Sequence, residues 1–357
     1  MANLFCVRPA TRNIGNDLIN KATTDLLYAV FGPQASIINI PALRGPQYGG
    51  LTSQQVYDMN RFADGVVVGG GNLFENGQIT IESHALEALS VPTLLIGLSH
   101  GRIYDEAYAF THRTDSLPAH LVRQLGEKAM VRMVRDHASR GLLAELGVGG
   151  VEVTGCPSLF LPPNPAGAEG DGNILLSIRH PSRMSVPPPL QWRIADDVRR
   201  MIASLRAAYG DVVSLICHDY KDLEFAAAFP GMRALYFDDV ERYIATLRAC
   251  RLNVSYRLHA FLPCLAFGVP TIHLSYDERG QDMVATAGMK EWDIDLGREH
   301  DAVEAVMQRA RAVDTYHRLR NKALPGIAEL RTQTAAGLTR FAEAVTARKS
   351  RREGAAS

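Results

Sequence analysis

Cysteine is scarce in this sequence, and no spacing pairs it. Cys6, Cys156, Cys217, Cys250 and Cys264 are odd in number, widely separated and form no C-x-x-C. That pattern excludes a disulfide framework and a cysteine-based zinc site. Cys6, Cys217 and Cys264 sit in apolar runs, where a thiol behaves as a small hydrophobe. An excess of one charge is lacking too, since 38 Lys and Arg balance 38 Asp and Glu. With no global basic field, nucleic acid is not an expected partner. Apolar runs such as VPTLLIGL fall far short of a membrane span, which needs about 20 residues. The stretch MANLFCVRPATRN has no signal-type apolar region. These absences predict a reduced, cytoplasmic protein with no metal, no cofactor and no transmembrane segment. The stretch ARKSRREGAAS, basic and then small and polar, reads as a solvated, frayed end.

What is present is enough apolar residue for two cores: 46% of 357 residues. Short β-rich runs alternate with longer helical ones. Strands are predicted at 3–7, 36–40, 65–71, 93–99, 130–136 and 151–155. Runs such as VVV and LLI do not alternate, which fits strands buried on both faces of a parallel sheet. The stretch NDLINKATTDLLYAVFG carries a helical period and ends at glycine. LPPNPAGAEGDG (161–172) has no periodicity and reads as a linker. Beyond it the pattern restarts, with strands at 173–179, 212–218, 234–237, 252–256 and 271–276. From Asp301 the chain reads as helix, interrupted near Pro325. The expected architecture is therefore α/β, with two Rossmann-like domains facing a cleft. Their expected extents are 1–162 and 163–298, with C-terminal helices over 299–357.

Ligands of open α/β sheets bind beyond the carboxyl ends of the strands. Asn13 and Gly15 follow the first strand, and Asn16 or Asp17 is expected to cap the helix there. Gly70, Gly71 and Asn72 follow VVV and allow close approach of backbone to a ligand. The glycines form neither G-x-G-x-x-G nor a P-loop. Arg135, Arg179 with His180 and Arg183, His218 with Asp219, and Arg279 each stand just past a predicted strand. In YRLHAFLPCLAFG, Arg257 and His259 interrupt an apolar run where a strand hands over to a helix. Pro263 is expected near that helix's first turn, where a missing N–H costs least. A helix N-terminus favours an anion and discourages protonation of His259, and a bound anion reverses that. Arg135, Arg179, Arg257, His259 and Arg279 together suit a carboxylate or phosphate ligand. Capping, surface ion pairs and a satisfied core histidine are the structural alternatives.

With these residues in view, the sequence resembles the polysaccharide pyruvyl transferase family over roughly residues 1–300. The resemblance rests on NIGNDLI, GGGNLF, VRDHASRGLLAELGV, TGCPSLFL, YRLHAFLPCLAFGVPTIHLSYDERGQDMVATAGM, and the Trp and Asp of EWDIDL. It implies a fold similar to GT-B glycosyltransferases, with the C-terminal helix returning to the first domain. It also implies transfer of a pyruvyl group from phosphoenolpyruvate, the donor substrate, to hydroxyls of a sugar-containing acceptor. Arg135, Arg257 and His259 match positions that bind or act on the donor, and Arg279 stands where lysine is expected. Asn13, Gly15, Gly70, Gly71, Asn72, Arg179, His218 and Arg279 are the expected substrate contacts. Cys156 replaces an acidic residue, and His100 stands where small residues are expected. A GT-B glycosyltransferase using a nucleotide sugar and a non-catalytic binder of an acidic metabolite are the alternative functions. A homo-oligomer is left open.

Overall fold

The computed structural model describes residues 1–356 except 10–11, 44–48, 166 and 168–169, with side chains described through 352. The strands of the first half are β1 (Asn3–Arg8), β2 (Ser36–Pro41), β3 (Gly65–Gly71), β4 (Thr93–Leu98), the short pair β5 (Ile103–Tyr104) and β6 (Phe110–Thr111), β7 (Val131–Val134) and β8 (Val151–Val153). The second half contributes β9 (Ile174–Ser177), β10 (Val213–Cys217), β11 (Arg233–Tyr236), β12 (Leu252–Ser255), β13 (Thr271–Ser275) and β14 (Ile294–Asp295). Between them run α1 (Ile14–Phe31), α2 (Ser53–Phe62), α3 (Ser83–Ala88), α4 (Ala119–Lys128), α5 (His137–Glu145), α6 (Pro188–Tyr209), α7 (Tyr220–Ala226), α8 (Val240–Ala249), α9 (Leu258–Phe267) and α10 (Glu278–Thr286). The helices α11 (Ala302–Arg311) and α12 (Val313–Ala356) follow. The predicted linker at 161–172 lies between β8 and β9, and its residues 166, 168 and 169 are outside those described.

Two six-stranded sheets result, ordered β2-β1-β3-β4-β7-β8 and β11-β10-β9-β12-β13-β14. Every pairing within them is parallel. The non-alternating runs explain this: β3, β4, β9, β10, β12 and β13 are buried at every position. Strand order reverses between β1 and β3 in one sheet and between β9 and β12 in the other. Those reversals open a crevice at the carboxyl ends of the strands.

The helical region beyond Asp301 differs from expectation. The break falls at Ala312, and α12 runs through Pro325 without interruption. Packing on both sides of the proline sustains it. Before it, the Tyr316 hydroxyl donates to the Val269 carbonyl at 2.7 Å and Arg320 Nε to the Leu265 carbonyl at 2.8 Å. After it, Leu338, Phe341 and Val345 are buried with Leu4, Val67, Ile96 and Met133 of the first sheet. The basic stretch also differs from a frayed end. It is helical, with Arg348 and Arg352 donating to the carbonyls of Asn60 and Arg61 at 2.9 and 2.7 Å. Cations are favoured there because α2 presents its C-terminal carbonyls. Phe341 is fully buried, so Phe341→Ala is expected to destabilise the protein by about 3–5 kcal/mol. Chemical denaturation checks this, and a cost under about 1 kcal/mol would show that α12 is dispensable to the first sheet.

Candidate active site

The sheets face each other across a cleft of about 710 Å³ whose walls come from both switch points. Asn13, Gly71 and Asn72 line it from the first sheet, and Arg179, His218, Arg257 and His259 from the second. Arg135 and Arg279 line it as well. Direct bonds hold the halves together around it. Ile14 N donates to the His218 carbonyl at 3.0 Å, Ala138 N to Asp282 Oδ2 at 2.6 Å, and the Tyr104 hydroxyl to Asp295 at 2.6 Å.

At the turn into α9, Ser255 Oγ accepts from Arg257 N at 2.9 Å and donates to the Arg257 carbonyl at 2.7 Å. This small loop aims the Arg257 side chain inward, where it is 5% exposed. Its Nη2 donates to Asp219 at 3.0 Å and to Asp222, and its Nε to the Ile178 carbonyl at 3.2 Å. Burial opposes its charge, but the two aspartates outweigh that and keep the guanidinium firmly protonated. His259 follows two residues on, half-buried, with Nε2 3.9 Å from Cys156 Sγ. Burial first, then Arg135, Arg257, His273 and Arg279, push its pKa down to about 3. The imidazole is thus neutral, as the helix N-terminus alone would favour.

The other cations are not equally available to a ligand. Arg135 pairs with Asp136 at 3.0 Å, and Asp136 caps α5 by accepting from Ser139 N at 2.9 Å. Arg279 pairs with Asp277 and with Glu75 of the first half. Arg179 differs: its Nε and Nη2 donate to the Arg183 carbonyl at 3.0 and 2.6 Å, and among the described residues no carboxylate lies within 4.0 Å. Burial, with Arg257 and Arg279 beside it, lowers its pKa. A half-buried guanidinium among guanidiniums is costly unless an anion joins them.

His218 is buried, with Nε2 2.9 Å from Ser177 Oγ and 3.1 Å from the Tyr243 hydroxyl. Burial first, then Arg257, His259 and Arg179, hold it well below the usual imidazole range. Asn13, rather than Asn16 or Asp17, caps α1 by accepting from Gly15 N at 2.9 Å. The helix starts at Ile14, so Asn16 and Asp17 already lie within its first turn. Gly15 stands behind the cleft wall. A Cβ there would sit 3.1 Å from His259 Cβ and 3.2 Å from His218 Nδ1. Gly70 is left-handed (φ 93) and faces α1, where a Cβ would meet Ile19 at 3.1 Å. α9 begins at Leu258, so Pro263 lies just past its first turn, in the second.

Several polar residues of this region escape the sequence reading. Asp222, fully buried, accepts from His180 N, His218 N and Arg257. Its position four residues past His218 was the available signal. Glu75, fully buried, accepts from Gly101 N at 2.9 Å and lies 3.3 Å from His100 Nδ1. Burial works against its ionisation, but Arg279, His100 and Arg113 prevail and hold it below the usual carboxylate range. His273 on β13 lines the cleft and binds Asp293 and Ser275 through Nδ1, each at 3.0 Å. Glu291 and Glu299, a Glu-x₇-Glu pair that the sequence reading missed, flank β14, and neither lines the cleft. Among the described residues, no group of three or more His, Cys, Asp or Glu is placed to hold a metal ion. No described helix is long and apolar enough to cross a membrane.

The family model for polysaccharide pyruvyl transferase matches residues 13–278, a span from the cap of α1 to the start of α10. The chain belongs to the polysaccharide pyruvyl transferase family. It is accordingly a transferase, and its R-x-H turn and GGGN loop fall inside the matched span. Comparison with curated proteins gave no match. Among solved structures, the chain is similar to S. aureus MnaA in its UDP co-structure, with a TM-score of 0.55 at 15% identity over 90% of this chain and 91% of that one. It is also similar to UDP-N-acetylglucosamine 2-epimerase from Rickettsia bellii, with a TM-score of 0.56 at 10% identity over 97% and 96% of the two chains. At such identities the likeness concerns the fold, which is GT-B.

Proposed function

We propose that the cleft transfers the pyruvyl group of phosphoenolpyruvate to hydroxyls of a sugar-containing acceptor. The observation that carries this reading is the turn from β12 to α9. It sets His259 at a helix N-terminus among Arg135, Arg179, Arg257 and Arg279. The donor has a carboxylate and a phosphate on the same carbon and needs several fixed cations. Arg179, with no carboxylate within 4.0 Å among the described residues, is the natural first anchor. Arg257, Arg135 and Arg279 add charge-assisted contacts and stabilise the phosphate as it departs.

His259, protonated as the anionic donor binds, gives its proton to the methylene carbon of the donor. A hydroxyl oxygen of the acceptor bonds to the central carbon, and the double-bond electrons take up the proton to make a methyl group. The now neutral imidazole accepts the hydroxyl proton. The bond from carbon to phosphate oxygen then breaks and inorganic phosphate leaves with its electron pair. A second hydroxyl closes the ketal, and its proton goes to the phosphate. Two hydroxyl protons are lost, one is gained at carbon and one by phosphate, so no oxidant or metal enters the balance.

In this reading residues 163–298 form the donor side and residues 1–162 the acceptor side, with 299–357 bracing both. A water-soluble donor suits a cytoplasmic reaction. Phosphoenolpyruvate is expected to raise the unfolding temperature while nucleoside diphosphates do not. Phosphate release is expected only when a polyhydroxylated acceptor is present. Stabilisation by nucleoside diphosphates alone would instead support a nucleotide-sugar enzyme.

A further inference from the structure

Pro263 in the second turn of α9 has no N–H for the carbonyl four residues back, and its ring crowds that carbonyl. The carbonyl belongs to His259. It is nevertheless satisfied, because the Tyr243 hydroxyl donates to it at 2.9 Å. Tyr243 comes from the neighbouring helix α8, is fully buried, and packs against His218 with ring centroids 5.4 Å apart. A hydroxyl has one proton and a carbonyl only accepts. Any bond between Tyr243 Oη and His218 Nε2, 3.1 Å apart, therefore has the imidazole as donor, at a nitrogen that also lies 2.9 Å from Ser177 Oγ. His218 N in turn donates to Asp222, the carboxylate that holds Arg257. On the other side of this chain of bonds, Gly15 lets α1 close in on His218 and His259. An N–H at position 263 would have closed the helix on itself. The proline instead hands the first turn of α9 to a side chain from another helix.

We propose that Tyr243 is a positioning residue for His259, making the hydrogen bond that Pro263 cannot make and so fixing the direction from which the imidazole meets the donor. This rests on the reading of His259 as proton donor. Its test is a double-mutant cycle in the full chain with Tyr243→Phe, Pro263→Ala and the double variant, with His259→Ala alongside. Phosphate release with phosphoenolpyruvate and acceptor gives kcat and KM, and thermal unfolding gives the midpoint.

Tyr243→Phe is expected to lower kcat by roughly 10–10²-fold, the scale of a misplaced catalytic group, with KM for phosphoenolpyruvate little changed. In the Pro263→Ala background the same change is expected to cost far less, because the alanine N–H takes the His259 carbonyl. The midpoint is expected to show the same rescue. Equal losses of kcat in the two backgrounds overturn the proposal, as does a loss confined to KM. Rescue of the midpoint without rescue of kcat also overturns it, since the bond would then serve the fold alone. Full transfer by His259→Ala removes the proton-donor reading and the positioning role with it, an outcome distinct from an additive cycle.

Discussion

His259→Ala is expected to lower pyruvyl transfer by roughly 10²–10⁴-fold, the range for losing a positioned general acid, with the fold retained. Among the described residues, the hydrogen-bond partner of its ring nitrogen is Cys156 Sγ at 3.9 Å, so the substitution orphans no strong hydrogen bond. A steady-state rate within about twofold of the native one would remove His259 from the chemistry. The pH behaviour sharpens the test. With the native pKa near 3 and the ordinary value near 6.5, the unfolded chain takes up a proton at this site below about pH 6.5 that the native protein refuses. The stability tied to the neutral imidazole is thus present above pH 6.5 and is lost as pH falls toward 3. His259→Ala should show a shallower loss of stability across that window. The donor acts in the opposite sense, since its negative charge raises the histidine pKa. Binding of phosphoenolpyruvate near neutral pH should therefore take up protons. Titration calorimetry in two buffers of different ionisation enthalpy would show it, and His259→Ala should reduce that uptake.

Asp222→Ala is expected to destabilise the protein by about 3–5 kcal/mol, because one partner of a buried ion pair is removed and the other remains. Asp222 also accepts from the backbone N–H groups of His180 and His218, at 3.1 and 3.0 Å. Removing the carboxylate leaves these two donors without an acceptor behind the cleft wall. Asp219 shares Arg257 with it at 3.0 Å but is partly exposed, so it replaces only part of that support. Denaturant midpoints measure the effect. A shift worth less than about 1 kcal/mol would mean that solvent, not Asp222, balances Arg257. Weaker binding of phosphoenolpyruvate should accompany the loss, since Arg257 is then free to leave the orientation its aspartates impose.

The sheets were legible because burial on both faces leaves a mark in the sequence. VVV and LLI cannot belong to half-solvated strands, and the restart after residue 172 announced the second sheet. The Arg257–His259 pair was legible for the opposite reason, as polar residues inside an apolar run. Carboxylate partners were not. Glu75 meets Arg279 across 204 positions of sequence, and that pairing exists only because two sheets approach each other. Nor could the availability of each arginine be read: Arg135, Arg257 and Arg279 carry carboxylate partners, while Arg179 meets the Arg183 carbonyl and the Tyr276 ring and, among the described residues, no carboxylate. The role of Pro263 stayed hidden because the partner of the carbonyl it frees, Tyr243, comes from another helix. Placed in the first turn a proline costs little, but in the second it opens the His259 carbonyl. Pro325 misled for a related reason, since packing of α12 on α9 and on the first sheet outweighs a local helix breaker.

That packing has a bearing on how the protein is made. Leu338, Phe341 and Val345 cover a face of the first sheet, and Gly65 on β3 leaves room for them: a Cβ there would lie 2.7 Å from both Phe341 and Val345. During synthesis β1, β3, β4 and β7 emerge long before these residues do. The part of the first sheet that α12 covers beside α1 stays exposed until the second half has been translated, which leaves the early chain prone to association.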